Sequence, residues 1–235
     1  MELISGEPKS PALLSVVSVQ RLRISAMGAR AWLAEAPGGF DLAAQRRIWS
    51  LAAGLRHDPA VEMRIPGATN LLVILKQIPG DPQQVMVWLE ELWQQARAIH
   101  LKGREVVIPV EYGGEQAIDL DNVCRHTGLD AAEVIRRHYQ GNYTVCAVGS
   151  APGFGYLHGL DPALATPRKP VPSLNMLQGT VTIGGPQTGV SVLTGPNGWN
   201  AIGFASVEFF DPLRTPPALI APGDTIRFVP EKTEL

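Results

Sequence analysis

Val181-Thr182-Ile183-Gly184-Gly185-Pro186-Gln187-Thr188-Gly189-Val190-Ser191-Val192-Leu193 sets two short β-rich runs, Val181 to Ile183 and Val190 to Leu193, on either side of a glycine-rich loop. Working outward, Val106 to Val110, Asn142 to Val148, Ser206 to Phe210 and Thr225 to Val229 have the same character, and Ala221-Pro222-Gly223-Asp224 is a turn that introduces the last of them. Short strands at such intervals, with Gly/Pro-rich turns between them, predict a closed barrel, which removes exposed sheet edges. Two helices, Asp119 to Arg125 and Asp130 to Tyr139, interrupt the series.

The first half reads differently. After a tail over residues 1–17, Val19 to Ile24 and Ala31 to Ala36 look like strands separated by Gly28. Asp41 can cap a helix on which Leu42, Ile48, Trp49 and Leu55 share an apolar face. Val61 to Ile65 and Asn70 to Leu75 form a hairpin across Pro66-Gly67-Ala68-Thr69, a turn-forming tetrapeptide. A second helix runs from Pro82 to about Ile99, with Asp81 as N-cap, proline at its first position, and Val85, Leu89, Leu92, Trp93 and Ala96 on one face. The resulting ββαββα unit spans residues 18–101, and Lys102-Gly103-Arg104 reads as a linker. The overall class is α+β, with the barrel over 104–230 and a charged tail at 231–235.

With 235 residues, 45% of them hydrophobic, the chain is long enough to bury a substantial core. A formal charge of −2 offers no global attraction to nucleic acid or an anionic membrane. Cys124 and Cys146 make no disulfide framework and fit a reducing cytoplasm. The apolar run Ala12 to Val19 lacks the basic start and cleavage site of a leader, and no window approaches a bilayer span.

Several chemistries fail on their own requirements. The loop at 184–189 has no Gly-Lys-Ser/Thr, so it is not a phosphate loop, and Gly153-x-Gly155 lacks the third glycine of a dinucleotide loop. Ser150 sits in Gly-Ser-Ala-Pro-Gly rather than a nucleophile elbow. His57, His100, His126, His138 and His158 are scattered, with no metal-ligand spacing. The helix pair with Arg136 and Arg137 has the outline of a helix-turn-helix, but without a wider basic cluster it reads as a packed hairpin. What remains is binding. Gly153, Phe154, Tyr156, Gln187, Thr188, Gly189 and Trp199 supply aromatic walls, directional hydrogen bonds and uncovered backbone, a mixture suited to a small-molecule site.

Many of these segments occur together in one known family. Glu111-Tyr112-Gly113-Gly114-Glu115, Asp119-Leu120, Gly128-Leu129, Glu133-Val134-Ile135 with His138, Gly153-Phe154 with Tyr156-Leu157, Gly159-Leu160-Asp161-Pro162, Leu164-Ala165-Thr166-Pro167-Arg168, Gln187-Thr188-Gly189, Gly198-Trp199 and Phe210-Asp211-Pro212 follow in order. In this the chain resembles the family that unites the B-type subunits of 5-oxoprolinase, the kinase A inhibitors and allophanate hydrolase subunit 1, of the carboxyltransferase subdomain C and D type. The resemblance implies a two-layer α/β sandwich followed by a cyclophilin-like β-barrel with a helical insertion. It also implies a cytoplasmic component, noncatalytic alone, of an ATP-dependent hydrolase complex that opens 5-oxoproline to glutamate. ATP would act at the level of the complex. The implied partners are a homologous barrel protein of the 5-oxoprolinase C type and a third component of the A type. The alternative implied function is inhibition of a sensor histidine kinase by docking on its dimerisation domain. The chain departs from the family pattern where Val171 to Gln178 carries no arginine, where Ile202-Gly203-Phe204-Ala205-Ser206 replaces Ile-Gly-Arg-Thr-Pro, and where Gly28-Ala29-Arg30-Ala31 replaces Gly-Asp-Arg-Ala. Lost arginines remove charge-assisted contacts to a carboxylate or phosphate, so an altered specificity is expected.

Overall fold

The computed structural model describes residues 21–235; the expected tail, the apolar run Ala12 to Val19 and the start of the first strand lie outside the described residues. β1 (Arg23–Ala26), β2 (Ala31–Glu35), β3 (Val61–Pro66) and β4 (Asn70–Leu75) form an antiparallel sheet in the order β1-β2-β4-β3. α1 (Leu42–Gly54) and α2 (Pro82–Gln95) complete this unit, capped as the sequence predicts by Asp41, which accepts from Ala44 N, and Asp81, which accepts from Gln83 N. Leu71 and Val73 of β4 pack with Ile48 and Leu51 of α1 and with Leu89 and Trp93 of α2 in one apolar core. Buried Gln45 ties α1 to the β3–β4 turn, donating to Gly67 O at 3.0 Å and accepting from Thr69 N at 2.6 Å. α2 ends at Gln95 rather than near Ile99. Arg47 takes over there, donating to Trp93 O and Ala96 O and lying 3.6 Å from the Trp93 ring centroid, so carbonyls at the end of α2 are satisfied by a side chain instead of a further turn.

The remaining strands are β5 (Glu105–Gly113), β6 (Tyr143–Val148), β7 (Gly155–His158), β8 (Ser173–Met176), β9 (Thr180–Gly184), β10 (Gln187–Val190), β11 (Gly195–Asn197), β12 (Asn200–Phe204) and β13 (Thr225–Glu234). The barrel closes in the order β10-β7-β6-β13-β5-β12-β9, while β8 and β11 pair as a separate ribbon. α3 (Leu120–Thr127) and α4 (Ala131–Gln140) are inserted between β5 and β6 and bury Val123, Val134 and Ile135 in the barrel core. Arg137 pairs with Glu133 and Asp161 and Arg136 with Glu133, so both arginines of α4 are committed within the fold.

Four further local expectations change. The run expected at Ser206 to Phe210 forms no strand beyond a bridge from Phe210 to Ala218; the strand lies upstream at β12. Gly203 disguises it, and glycine is needed there because a Cβ would come within 2.7 Å of Glu111 O on β5. The strand expected at Val190 to Leu193 begins earlier, at Gln187, because β9 and β10 are joined by a two-residue hairpin loop, Gly185-Pro186. Gly155–His158, part of a glycine-rich loop by sequence, is strand β7. Residues 231–234 extend β13 instead of forming a tail, running parallel to β5 with Lys232 opposite Glu111 and Glu234 opposite Gly113. That pairing works because Gly113 has no Cβ, which would collide with the Glu234 carbonyl.

Trp49 of α1 bridges from the first unit to barrel strand β6. It is buried, and its indole Nε1 donates to Cys146 O of β6 at 3.1 Å. Phe40 adds a ring contact to His158 of β7 at 5.6 Å. β6 and β7 are also the two strands that flank the loop at the candidate site.

Candidate functional site

A cavity of about 550 Å³ opens beside the barrel mouth, lined by residues from the β6–β7 loop, the β9–β10 hairpin, the β10–β11 segment and Arg168. The β6–β7 loop is closed by two backbone bonds, Gly149 N to Phe154 O at 3.0 Å and Phe154 N to Ala151 O at 3.1 Å. Ser150, on its rim, takes φ 64°, a left-handed conformation uncommon for a residue other than glycine. Such local strain persists only where surrounding contacts enforce it.

Of the residues expected at a site, Phe154, Tyr156, Gln187 and Trp199 line this cavity. Phe154 is the hinge of the aromatic group. Its ring meets Tyr156 edge-on at 5.1 Å and Trp199 at 5.9 Å, arrangements that suit the ring quadrupoles. Trp199 is itself aimed by Asn197, whose Oδ1 accepts from Trp199 N at 2.9 Å, and its indole lies against the backbone of Gly184. Gly153 and Gly189 do not line the cavity but make its wall possible. A Cβ at Gly153 would come within 2.7 Å of Phe209 O, and one at Gly189 would press on the Phe154 ring at 3.2 Å.

Thr188 is elsewhere. Its side chain is fully buried in the barrel, where Oγ1 donates to Thr182 O at 2.8 Å and meets His138 Nε2. The alternation of a strand explains the difference: Gln187 faces the cavity, so its neighbour on β10 must face the core. His138 is likewise interior, between Thr188 and the Tyr112 hydroxyl at 2.7 Å, and burial pushes its protonation down to about 3, so the imidazole is neutral. Cys146 is inert for the same reason, its thiol pushed up to about 12 by burial.

Sequence reasoning left out of the site the polar residues Ser191, Thr194 and Asn197 and, as its one charged group, Arg168. Arg168 lines the cavity, and its signals were its place at the end of the family segment Leu164-Ala165-Thr166-Pro167-Arg168 and its position between prolines in Pro167-Arg168-Lys169-Pro170. Conversely, no residue of 171–178 lines the cavity, and neither does Phe204, so these positions that lack the family's arginines lie outside its wall. Lys169 points away, into an ion pair with Asp119 at 2.6 Å. Among the described residues, no three His, Cys, Asp or Glu side chains are grouped as metal ligands would be, and no helix is long and apolar enough to cross a membrane. The arrangement is thus an aromatic cavity with two amides, Gln187 and Asn197, hydroxyls and one cation, able to hold a ligand.

A model of the carboxyltransferase domain, subdomain C and D, matches residues 22–220. The 5-oxoprolinase B subunit of Escherichia coli O157:H7 is 41% identical over 214 residues, covering 91% of this chain and 98% of that protein. Among solved structures, TTHA0988 superposes with a TM-score of 0.69 at 32% identity over 86% of this chain, which corresponds to only 40% of that longer chain. The K. lactis urea amidolyase shares the fold, with a TM-score of 0.78 at 18% identity over 91% of this chain and 15% of that one.

Proposed function

Because the chain belongs to the carboxyltransferase subdomain C and D family, alongside relatives named as B subunits of 5-oxoprolinase, we propose that it is one component of a 5-oxoprolinase-like complex and holds the cyclic amide substrate. The observation that carries this reading is the convergence of Phe154, Tyr156, Gln187 and Trp199 on one cavity. A flat lactam ring can lie against the aromatic rings while the Gln187 amide both donates to a carbonyl and accepts from an N–H.

The chemistry is shared with partners. Opening a stable lactam breaks its C–N bond with the ring nitrogen as leaving group. Transfer of a phosphoryl group from ATP to the amide oxygen makes the ring carbon a better electrophile for water, and ADP, phosphate and the ring-opened amino acid are released. This chain has no Gly-Lys-Ser/Thr phosphate loop, so that step is assigned to two further components of the complex, one of them a homologous barrel. The buried and neutral His138 is not available as a base, which supports a binding rather than a proton-transfer role for this chain. Reconstitution tests the reading: glutamate release from 5-oxoproline and ATP is expected only when this chain is mixed with both partners. Release by the isolated chain, or undiminished release when it is omitted, would overturn it.

A further inference from the structure

We propose that Arg168 is the specificity-determining residue of the cavity, anchoring the carboxylate of a small cyclic acid. The inference rests on the binding role proposed above and adds the chemistry of recognition. Among the described residues that line the cavity, Arg168 alone is charged, and no acid faces it. An uncompensated cation in an otherwise aromatic and polar wall selects for an anion.

Arg168 is also free to do so. The exposed Arg168 guanidinium has no ion pair or side-chain hydrogen bond among the described residues, as is also true of Arg46, Arg56, Arg64, Arg97 and Arg125, but of these unpaired arginines Arg168 alone lines the cavity. The carboxylate that its neighbour Lys169 engages is already occupied. Asp119 Oδ2 accepts from Lys169 Nζ at 2.6 Å and from Ala201 N at 2.9 Å.

Hydrogen bonds fix the backbone on both sides of Arg168. Gly185 N donates to Thr166 O at 2.7 Å and Asn200 Nδ2 to Pro167 O at 2.9 Å on one side. Lys169 N donates to Gly198 O at 2.7 Å, and Lys169 Nζ bonds Ser173 Oγ at 2.6 Å, on the other. Gly198 and Asn200 flank Trp199, so the Cα of Arg168 is held in register with the aromatic wall while its side chain stays unpaired. A preorganised backbone lowers the entropy cost of binding, and the planar guanidinium can take a carboxylate through two parallel hydrogen bonds. A ring stacked on the aromatic wall, with its carboxylate on Arg168 and its amide toward Gln187, uses both the cation and the Gln187 amide of the cavity.

The test measures binding to the assembled complex by calorimetry with 5-oxoproline, with pyrrolidin-2-one, which keeps the lactam but lacks the carboxylate, and with inorganic phosphate. Arg168→Gln is expected to weaken 5-oxoproline about tenfold to a hundredfold, with Arg168→Lys in between and pyrrolidin-2-one affected by neither. Equal affinity of wild type and Arg168→Gln for 5-oxoproline would overturn the proposal. So would an equal loss for pyrrolidin-2-one, which would mean that Arg168 shapes the wall rather than reads charge, or phosphate binding more tightly than 5-oxoproline at the same place. A wild-type complex that binds no 5-oxoproline overturns the functional reading instead; Arg168 is then judged with phosphate, where a wild-type affinity lost in Arg168→Gln keeps the anion site and no difference removes it.

Discussion

His138 Nε2 lies 2.8 Å from Thr188 Oγ1 inside the barrel, and this contact orders a row of protons. Thr188 gives its one hydroxyl proton to Thr182 O, so Nε2 must carry the proton that it shares with Thr188. Nδ1 is then the acceptor for the Tyr112 hydroxyl at 2.7 Å. The Tyr143 hydroxyl closes the group by donating to the His138 carbonyl at 2.6 Å. The row runs from β5 through α4 to β10 and β9, so it links the inserted helix to the strand that presents Gln187.

Thr188→Val keeps the shape of the side chain and deletes the hydroxyl. It leaves the His138 Nε2 proton and the Thr182 carbonyl without this partner in a dry interior, and the expected cost is about 1–3 kcal/mol. Urea unfolding followed by circular dichroism measures it; a midpoint equal to wild type would show that the row contributes nothing to stability.

The same group makes stability depend on pH. His138 is held neutral by burial, its protonation lowered from an ordinary 6.5 to about 3, so the unfolded chain binds a proton that the folded chain refuses. Its contribution is fully present above about pH 6.5 and is lost as pH falls toward 3. Glu133, held low at about 2 by Arg136 and Arg137, adds a loss of the same sign only below its ordinary value of 4.5. Between pH 6.5 and 4.5 the histidine is expected to account for a slope of up to one proton, about 1.4 kcal/mol per pH unit. His138→Gln should flatten that slope, and an unchanged slope in the variant would assign it to other groups.

Gly184→Ala places a Cβ where the Trp199 indole now lies on the backbone. The ring must move, at an expected cost of about 1–3 kcal/mol, and the cavity wall moves with it. Weaker ligand binding by the complex together with a lower unfolding midpoint is expected. Wild-type affinity would mean that Trp199 is not part of the binding wall.

What could be read from sequence divides along physical lines. The two long helices were legible because Asp41 and Asp81 cap them and their apolar faces recur at helical spacing. The β3–β4 hairpin was legible because Pro66 to Thr69 is a turn in its own right. β7 and β12 were not, because Gly155 and Gly203 weaken the local strand signal while tertiary pairing supplies the strand. At the site, the aromatic residues and Gln187 stood out by type. Thr188 could be assigned to the interior only once the register of β10 was known, and Arg168 to the cavity only once its flanking staples were seen, since both depend on contacts far apart in sequence.

The parallel pairing of β5 with β13 brings the first and last strands of the barrel side by side, with Arg104 N bonded to Asp224 Oδ1 at 2.9 Å. Parallel neighbours this distant in the chain carry a high contact order and form late in folding. During synthesis, β5 therefore leaves the ribosome long before its partner exists and must wait with one edge uncovered until residues 225–234 follow. The barrel therefore stays open until residues 225–234 have been made, and loss of this strand would leave the cavity on an open, association-prone sheet.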